Sequence, residues 1–167
     1  DSEMGDLCFD PSNPDRMHLC NYQLGVFLTE DGGRTWEHTL KVKNGPSLMT
    51  SPGGAHVYLQ CLKRHGLYAS HDRGRTWELA HRADGVDGMA HHPADEDTLF
   101  ISDGQHENYW SHKGSRPAKL LKSTDAGKTW TELARLDSGP LYIDPMKPEV
   151  MLIRTPHGGR GILRSLD

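Results

Sequence analysis

One nine-residue phrase returns along the chain. It reads "TEDGGRTWE" at 29–37, "SHDRGRTWE" at 70–78 and "STDAGKTWT" at 123–131. The shared frame is Ser/Thr-x-Asp-x-Gly-Arg/Lys-Thr-Trp. Asp72 follows Asp31 by 41 residues, and Asp125 follows Asp72 by 53. "SLD" at 165–167 opens a fourth copy that stops at Asp167. A phrase that recurs at a near-regular interval marks architecture rather than a catalytic centre: a protein needs one reactive site, but every structural unit needs its own turn.

A second marker keeps the same period. Pro11, Pro52, Pro93 and Pro145 stand in "FDPSNP", "TSPGGA", "HHPADED" and "IDPMKP", with steps of 41, 41 and 52 residues. The surplus in the third unit is the insertion "GQHENYWSHKGSRPAK", Gly104 to Lys119. Short apolar runs separated by Asp, Asn, Gly and Pro clusters predict four strands per unit, such as "GDLCF", "RMHLC", "GVFLTE" and "TWEHTL" in the first. No stretch keeps a helical period. The units predicted are 1–42, 43–83, 84–136 and 137–167, the last incomplete. Four-stranded units at this period predict an all-β fold, a β-propeller of four-stranded antiparallel blades. About four consecutive blades are expected, forming part of a propeller.

The residue types in the phrase suit the hairpin between the third and fourth strands. Asp31, Asp72 and Asp125 can accept N–H bonds from the turn that follows them. Gly33, Gly74 and Gly127 supply a positive φ without steric cost. Thr29, Ser70 and Ser123 can tie a hydroxyl into the same turn. Trp36, Trp77 and Trp130 are expected to start the outer strand, with each ring between neighbouring sheets and its N–H on backbone.

This frame resembles the Asp-box, or BNR repeat. It is similar to the repeats of sialidases, of xyloglucan-cleaving glycoside hydrolases, of sortilin-type receptors and of photosystem assembly factors. The resemblance implies a β-propeller and an extracellular or periplasmic setting. It does not carry an activity, because these families share the box while their chemistries differ. The aromatic-Arg-Ile-Pro motif of sialidases is absent. Where xyloglucan-cleaving enzymes have an Asp after Arg-Thr, "IRTPHGG" has Pro156.

Bulk properties narrow the partners. The 167 residues carry a net charge of −4 with both signs spread along the chain, which gives no electrostatic case for nucleic acid. No apolar run reaches the length of a membrane span. Cys8, Cys20 and Cys61 have no metal-ligand spacing and are expected as buried apolar residues. No cofactor and no metal are predicted. His91 and His92, followed by Asp95, Glu96 and Asp97, occupy the Pro turn that every unit has and are expected as a solvated turn.

Sites are expected on the face opposite the boxes, where second-to-third-strand loops meet the connections between units. The second-to-third loops supply Asn21, Tyr22, Arg64, His65, the insertion, Arg154, His157 and Arg160. The connections supply Asp84, Asp87 and Asp137. The insertion gathers His106, Glu107, Tyr109, Trp110, His112 and Arg116, a mixture suited to a polar ring-bearing ligand such as a sugar. Carbohydrate or a protein is the partner expected, besides further blades of the same protein or self-association. The reading of a binding scaffold stands beside that of a glycoside hydrolase segment, which would need two carboxyl groups flanking one bond.

Overall fold

The computed structural model describes residues 4–62, 65–104, 118–136, 139–154 and 162–165. Regular structure in them is entirely β. The first sheet holds β1 (Met4–Asp10), β2 (Asn13–Asn21), β3 (Gly25–Thr29) and β4 (Glu37–Leu40). The second holds β5 (Ser47–Thr50), β6 (Val57–Cys61), β7 (Gly66–Ser70) and β8 (Glu78–His81). The third holds β9 (Val86–His91), β10 (Leu99–Asp103), β11 (Ala118–Ser123) and β12 (Thr131–Leu136). Among the described residues the fourth holds β13 (Leu141–Asp144), β14 (Lys147–Arg154) and β15 (Ile162–Arg164). Strands pair antiparallel in sequence order within every sheet. These are propeller blades, as the repeat predicts.

The cores lie between successive sheets, which explains why the inner strands read as unbroken apolar runs. Neighbouring residues of a strand point to opposite faces. In β10, Leu99 and Ile101 join a core with Tyr58, Leu67 and Ala69 of the second sheet, whereas Phe100 joins one with Leu141, Met151 and Ile153 of the fourth. Cys20 and Val26 of the first sheet meet Leu48, Val57, Leu59 and Cys61 of the second. Burial pushes the thiols of Cys8 and Cys61 up to about 12 and that of Cys20 to about 11, so all three remain protonated.

Serial antiparallel order sends the second-to-third loops and the inter-sheet connections to one end. Hydrogen bonds tie them there: Asn44 N–H donates to Tyr22 O, Leu62 N–H to Asn44 O and Gly104 N–H to Gly85 O. The boxes and Pro turns share the other end, where Gly32, Arg73 and Ala126 donate to Asp15, Ala55 and Asp97 of their own sheets.

The outer strands begin one residue later than expected, at Glu37, Glu78 and Thr131, with each Trp just before the strand. Trp77 packs on the core it shares with the first sheet, and Trp130 on that between the second and third. Trp36 departs from the expected burial, at 39% exposed. It lies with Leu7 and Phe9 on the face of the first sheet turned away from the second, where these two are 43% and 58% exposed. Leu48 occupies the corresponding place on β5 and is 6% exposed, because the first sheet covers it.

Candidate functional site

The three boxes have one hydrogen-bond scheme. Asp72 Oδ1 accepts from Ser70 Oγ at 2.8 Å and from the N–H groups of Thr76 and Arg75 at 2.8 and 3.1 Å. Its Oδ2 accepts from Thr76 Oγ1 at 2.6 Å. Ser70 Oγ in turn accepts from Gly74 N–H at 2.8 Å. Asp31 repeats this with Thr29 and Thr35, and Asp125 with Ser123 and Thr129. The Thr35 hydroxyl first, then its N–H and the Thr29 hydroxyl, hold the Asp31 carboxyl far below the usual range. The Thr129 hydroxyl first, then its N–H and the Ser123 hydroxyl, hold Asp125 down to about 2. At Asp72 burial opposes the shift, but the hydrogen bonds outweigh it and the pKa is lowered. A carboxylate committed to donors inside its own turn has little left for a substrate or a cation. Thr35, Thr76 and Thr129, to which the turn chemistry read from the sequence assigns no role, complete the scheme. Their signal was there, since the frame has Thr before Trp in all three copies.

The boxes also couple sheets. Gly33, Gly74 and Gly127 have φ of 87°, 85° and 90°. Gly74 lies against the buried ring of His18, whose Nε2 is 3.0 Å from Arg73 O. Trp77 Nε1–H is 3.1 Å from both Gly74 O and Thr39 Oγ1, and Trp130 Nε1–H donates to Ala80 O at 3.2 Å. Each of these two indoles thus reaches the outer strand of the preceding sheet. Trp36 Nε1–H donates to Gly33 O of its own box.

At the opposite end, an open cleft of about 430 Å³ is lined by Arg82, Ala83, Asp84 and Asp103. The first three belong to the connection from β8 to β9, and Asp103 ends β10. The cleft therefore sits at the boundary of the second and third sheets. Asp103 Oδ2 is 2.9 Å from His81 Nε2, and both side chains are mostly buried. Arg82 and Asp84 are exposed. In the chain, Asp103 directly precedes the insertion, and β11 begins at Ala118. A guanidinium and two carboxylates at one cleft can hydrogen-bond several hydroxyl or amino groups of a polar ligand.

His106, Glu107, Tyr109, Trp110, His112 and Arg116 lie outside the described residues, as do Arg64, Asp137, His157, Arg160 and Asp167. Arg154 is exposed at the end of β14, on the fourth sheet, and its N–H donates to Pro140 O. Asn21 is buried, its side chain accepting from the N–H groups of Gln23 and Leu24. Asp84 lines the cleft, and Asp87 is on β9. Asp103 and His81 carry no signal in the sequence, because the end of β8 and the end of β10 belong to different sheets and meet only where the second sheet adjoins the third. His91 and His92 do not converge: His91 Nδ1 contacts His92 O, and His92 Nδ1 accepts from Ala94 N–H. Glu96 binds the Pro turn of the second sheet through Ser51 Oγ and the N–H groups of Gly53 and Ala55. Among the described residues no three His, Cys, Asp or Glu side chains are placed to hold a metal ion.

Solved structures with this fold include enzymes and a binding protein. An ancestral GH74 enzyme matches with a TM-score of 0.75 at 14% identity, over 98% of this chain and 22% of its own. The GH74 xyloglucanase from Xanthomonas campestris matches at 0.72 and 19%, over 96% of this chain and 27% of its own. An auxiliary nutrient binding protein from Bacteroides thetaiotaomicron matches at 0.68 and 14%, over 96% and 38%. The chain thus spans well under half the length of each. At these identities the likeness establishes the fold alone. No curated protein sequence matches the chain. The family described as Sortilin, neurotensin receptor 3, matches residues 24–159, most of the chain, and with its Asp-boxes and serial four-stranded sheets this protein belongs to the Sortilin-Vps10 family.

Proposed function

We propose that this propeller segment is a binding scaffold whose ligand, a carbohydrate, enters the cleft between the second and third sheets. The carrying observation is the convergence there of Arg82, Asp84 and Asp103, the last directly preceding the 104–119 insertion in the chain. A long loop on a repeat scaffold is often functional. The insertion would add Tyr109 or Trp110 as a stacking face, with Glu107, His112 and Arg116 as hydroxyl partners. Blades of other origin enter the same reading. The exposed face bearing Leu7, Phe9 and Trp36 suits another sheet of this kind, from the same polypeptide or from a second copy, because its counterpart on the second sheet is covered in that way.

One observation favours the alternative, a glycoside hydrolase segment. Asp84 and Asp103 line one cleft, and glycosidic hydrolysis uses two carboxyl groups. Calorimetric titration with xyloglucan oligosaccharides and with sialyllactose, followed by chromatography of the same mixtures, separates the two. The scaffold reading expects saturable binding without new products, weakened at least tenfold by Asp103→Asn and by shortening 105–117. Release of shorter saccharides that stops in Asp84→Asn or Asp103→Asn would establish the hydrolase instead. Binding unaffected by these changes would place the site elsewhere.

A further inference from the structure

At the box end, two histidines of the second sheet meet nitrogen to nitrogen. His56 closes the Pro turn before β6, and His71 follows β7 inside the box. Their Nδ1 atoms are 3.1 Å apart, with ring centroids 5.1 Å apart and planes at 78°. The outer nitrogens each face a carboxylate. His71 Nε2 is 3.1 Å from Glu78 Oε1 on β8, and His56 Nε2 is 3.3 Å from Asp97 Oδ1. Asp97 belongs to the turn before β10, so the row Glu78–His71–His56–Asp97 crosses from the second sheet to the third.

Counting hydrogens decides what this row holds. A carboxylate only accepts, so each Nε2 must carry a proton. The contact between the Nδ1 atoms needs one proton, and only one. Three protons on four ring nitrogens leave the pair with a single positive charge, facing two carboxylates. A fourth proton would set two N–H groups against each other. One ring would then have to turn: His56 by releasing Asp97 of the third sheet, or His71 by releasing Glu78 of its own.

We infer that His56 and His71 share one proton and form an acid-sensitive latch between the second and third sheets. The surrounding charges agree. Burial first, and the charge of His71 second, lower the His56 pKa, while Glu96 and Asp97 pull the other way. Tyr58 on β6 flanks His56, and His91 on β9 flanks Tyr58. Burial first, then Asp97, Glu96 and Asp125, push the Tyr58 hydroxyl up, so it stays neutral. Asp72 lies beside His71 in a shallow cleft with Glu78. Glu96 fastens the same junction but does not need the histidine proton, so acid loosens the boundary rather than opening it outright.

Imidazole ¹⁵N spectra of the full chain from about pH 8 to pH 4 test this. Strongly interacting sites titrate in two macroscopic steps. The His56 ring nitrogens should therefore follow two steps rather than one. Amide exchange at 51–56 and 92–98, corrected for intrinsic rates, should rise about tenfold below the lower step, the factor for one unit of coupling. In His71→Gln, His56 should titrate in one step, and the acid-induced rise in exchange should disappear. Independent single steps in the wild type would refute the shared proton. Two steps with unchanged exchange would refute the latch.

Discussion

Replacing each box glycine with alanine separates the cost of the turn from the cost of coupling sheets. Gly33, Gly74 and Gly127 have nearly the same φ, 87°, 85° and 90°, so the backbone penalty should be the same in all three. That penalty is about 1–2 kcal/mol for a non-glycine residue in the left-handed region. The surroundings differ. An alanine Cβ at 33 would meet Met17 Cε at 3.5 Å, and one at 127 would meet Trp130 at 3.5 Å and Ala80 at 3.6 Å, all ordinary contacts. At 74 it would stand 2.4 Å from His18 Nε2 and 2.5 Å from its Cδ2. His18 is fully buried, and its Nε2 contact with Arg73 O would have to break. Losing a buried hydrogen bond in this way adds about 1–3 kcal/mol. Gly74→Ala should thus lose about 2–5 kcal/mol, and the other two about 1–2. Urea unfolding at neutral pH measures this, provided the slope with denaturant is unchanged. The cycle with His18→Ala adds a second check, because in that background Gly74→Ala should cost only the backbone penalty. Equal losses at all three sites would refute the claim that the second box docks on the first sheet.

Three further outcomes follow from the same contacts. Asp125 has a folded pKa lowered to about 2, below its unfolded value of about 3.8, so its contribution to stability is present above the unfolded value and is lost as pH falls towards the folded one; thermal melts should show that acid loss in the wild type and a smaller one in Asp125→Asn. Trp77→Phe removes a donor to Gly74 O and Thr39 Oγ1 and should cost about 1–2 kcal/mol by chemical denaturation, more than Trp36→Phe, where the indole is 39% exposed. Cys20 and Cys61 are fully buried, with thiols held protonated, so a disulfide reagent at pH 8 should modify them only as fast as the chain unfolds; rapid stoichiometric labelling of the native protein would contradict the packing.

The repeat made the fold legible, because each unit must carry its own turn chemistry. The spacing of Asp31, Asp72 and Asp125, together with the short apolar runs between turn clusters, predicts serial four-stranded sheets. Local hydrogen bonding also lay within reach, since Asp72, Ser70, Gly74 and Thr76 are close in sequence. What pairs across sheets was not. The contact of His81 with Asp103, that of His56 with Asp97 and that of His18 with Arg73 span 22, 41 and 55 positions. Each depends on which ends of which strands the sheet order brings together. Burial is also a tertiary matter. Trp36 and Trp77 stand in the same local phrase, yet one indole is exposed and the other packs on a core, because a neighbouring sheet covers only the second. A sequence encodes its turns residue by residue, whereas a cleft or a proton-sharing pair exists only once separate sheets come into contact.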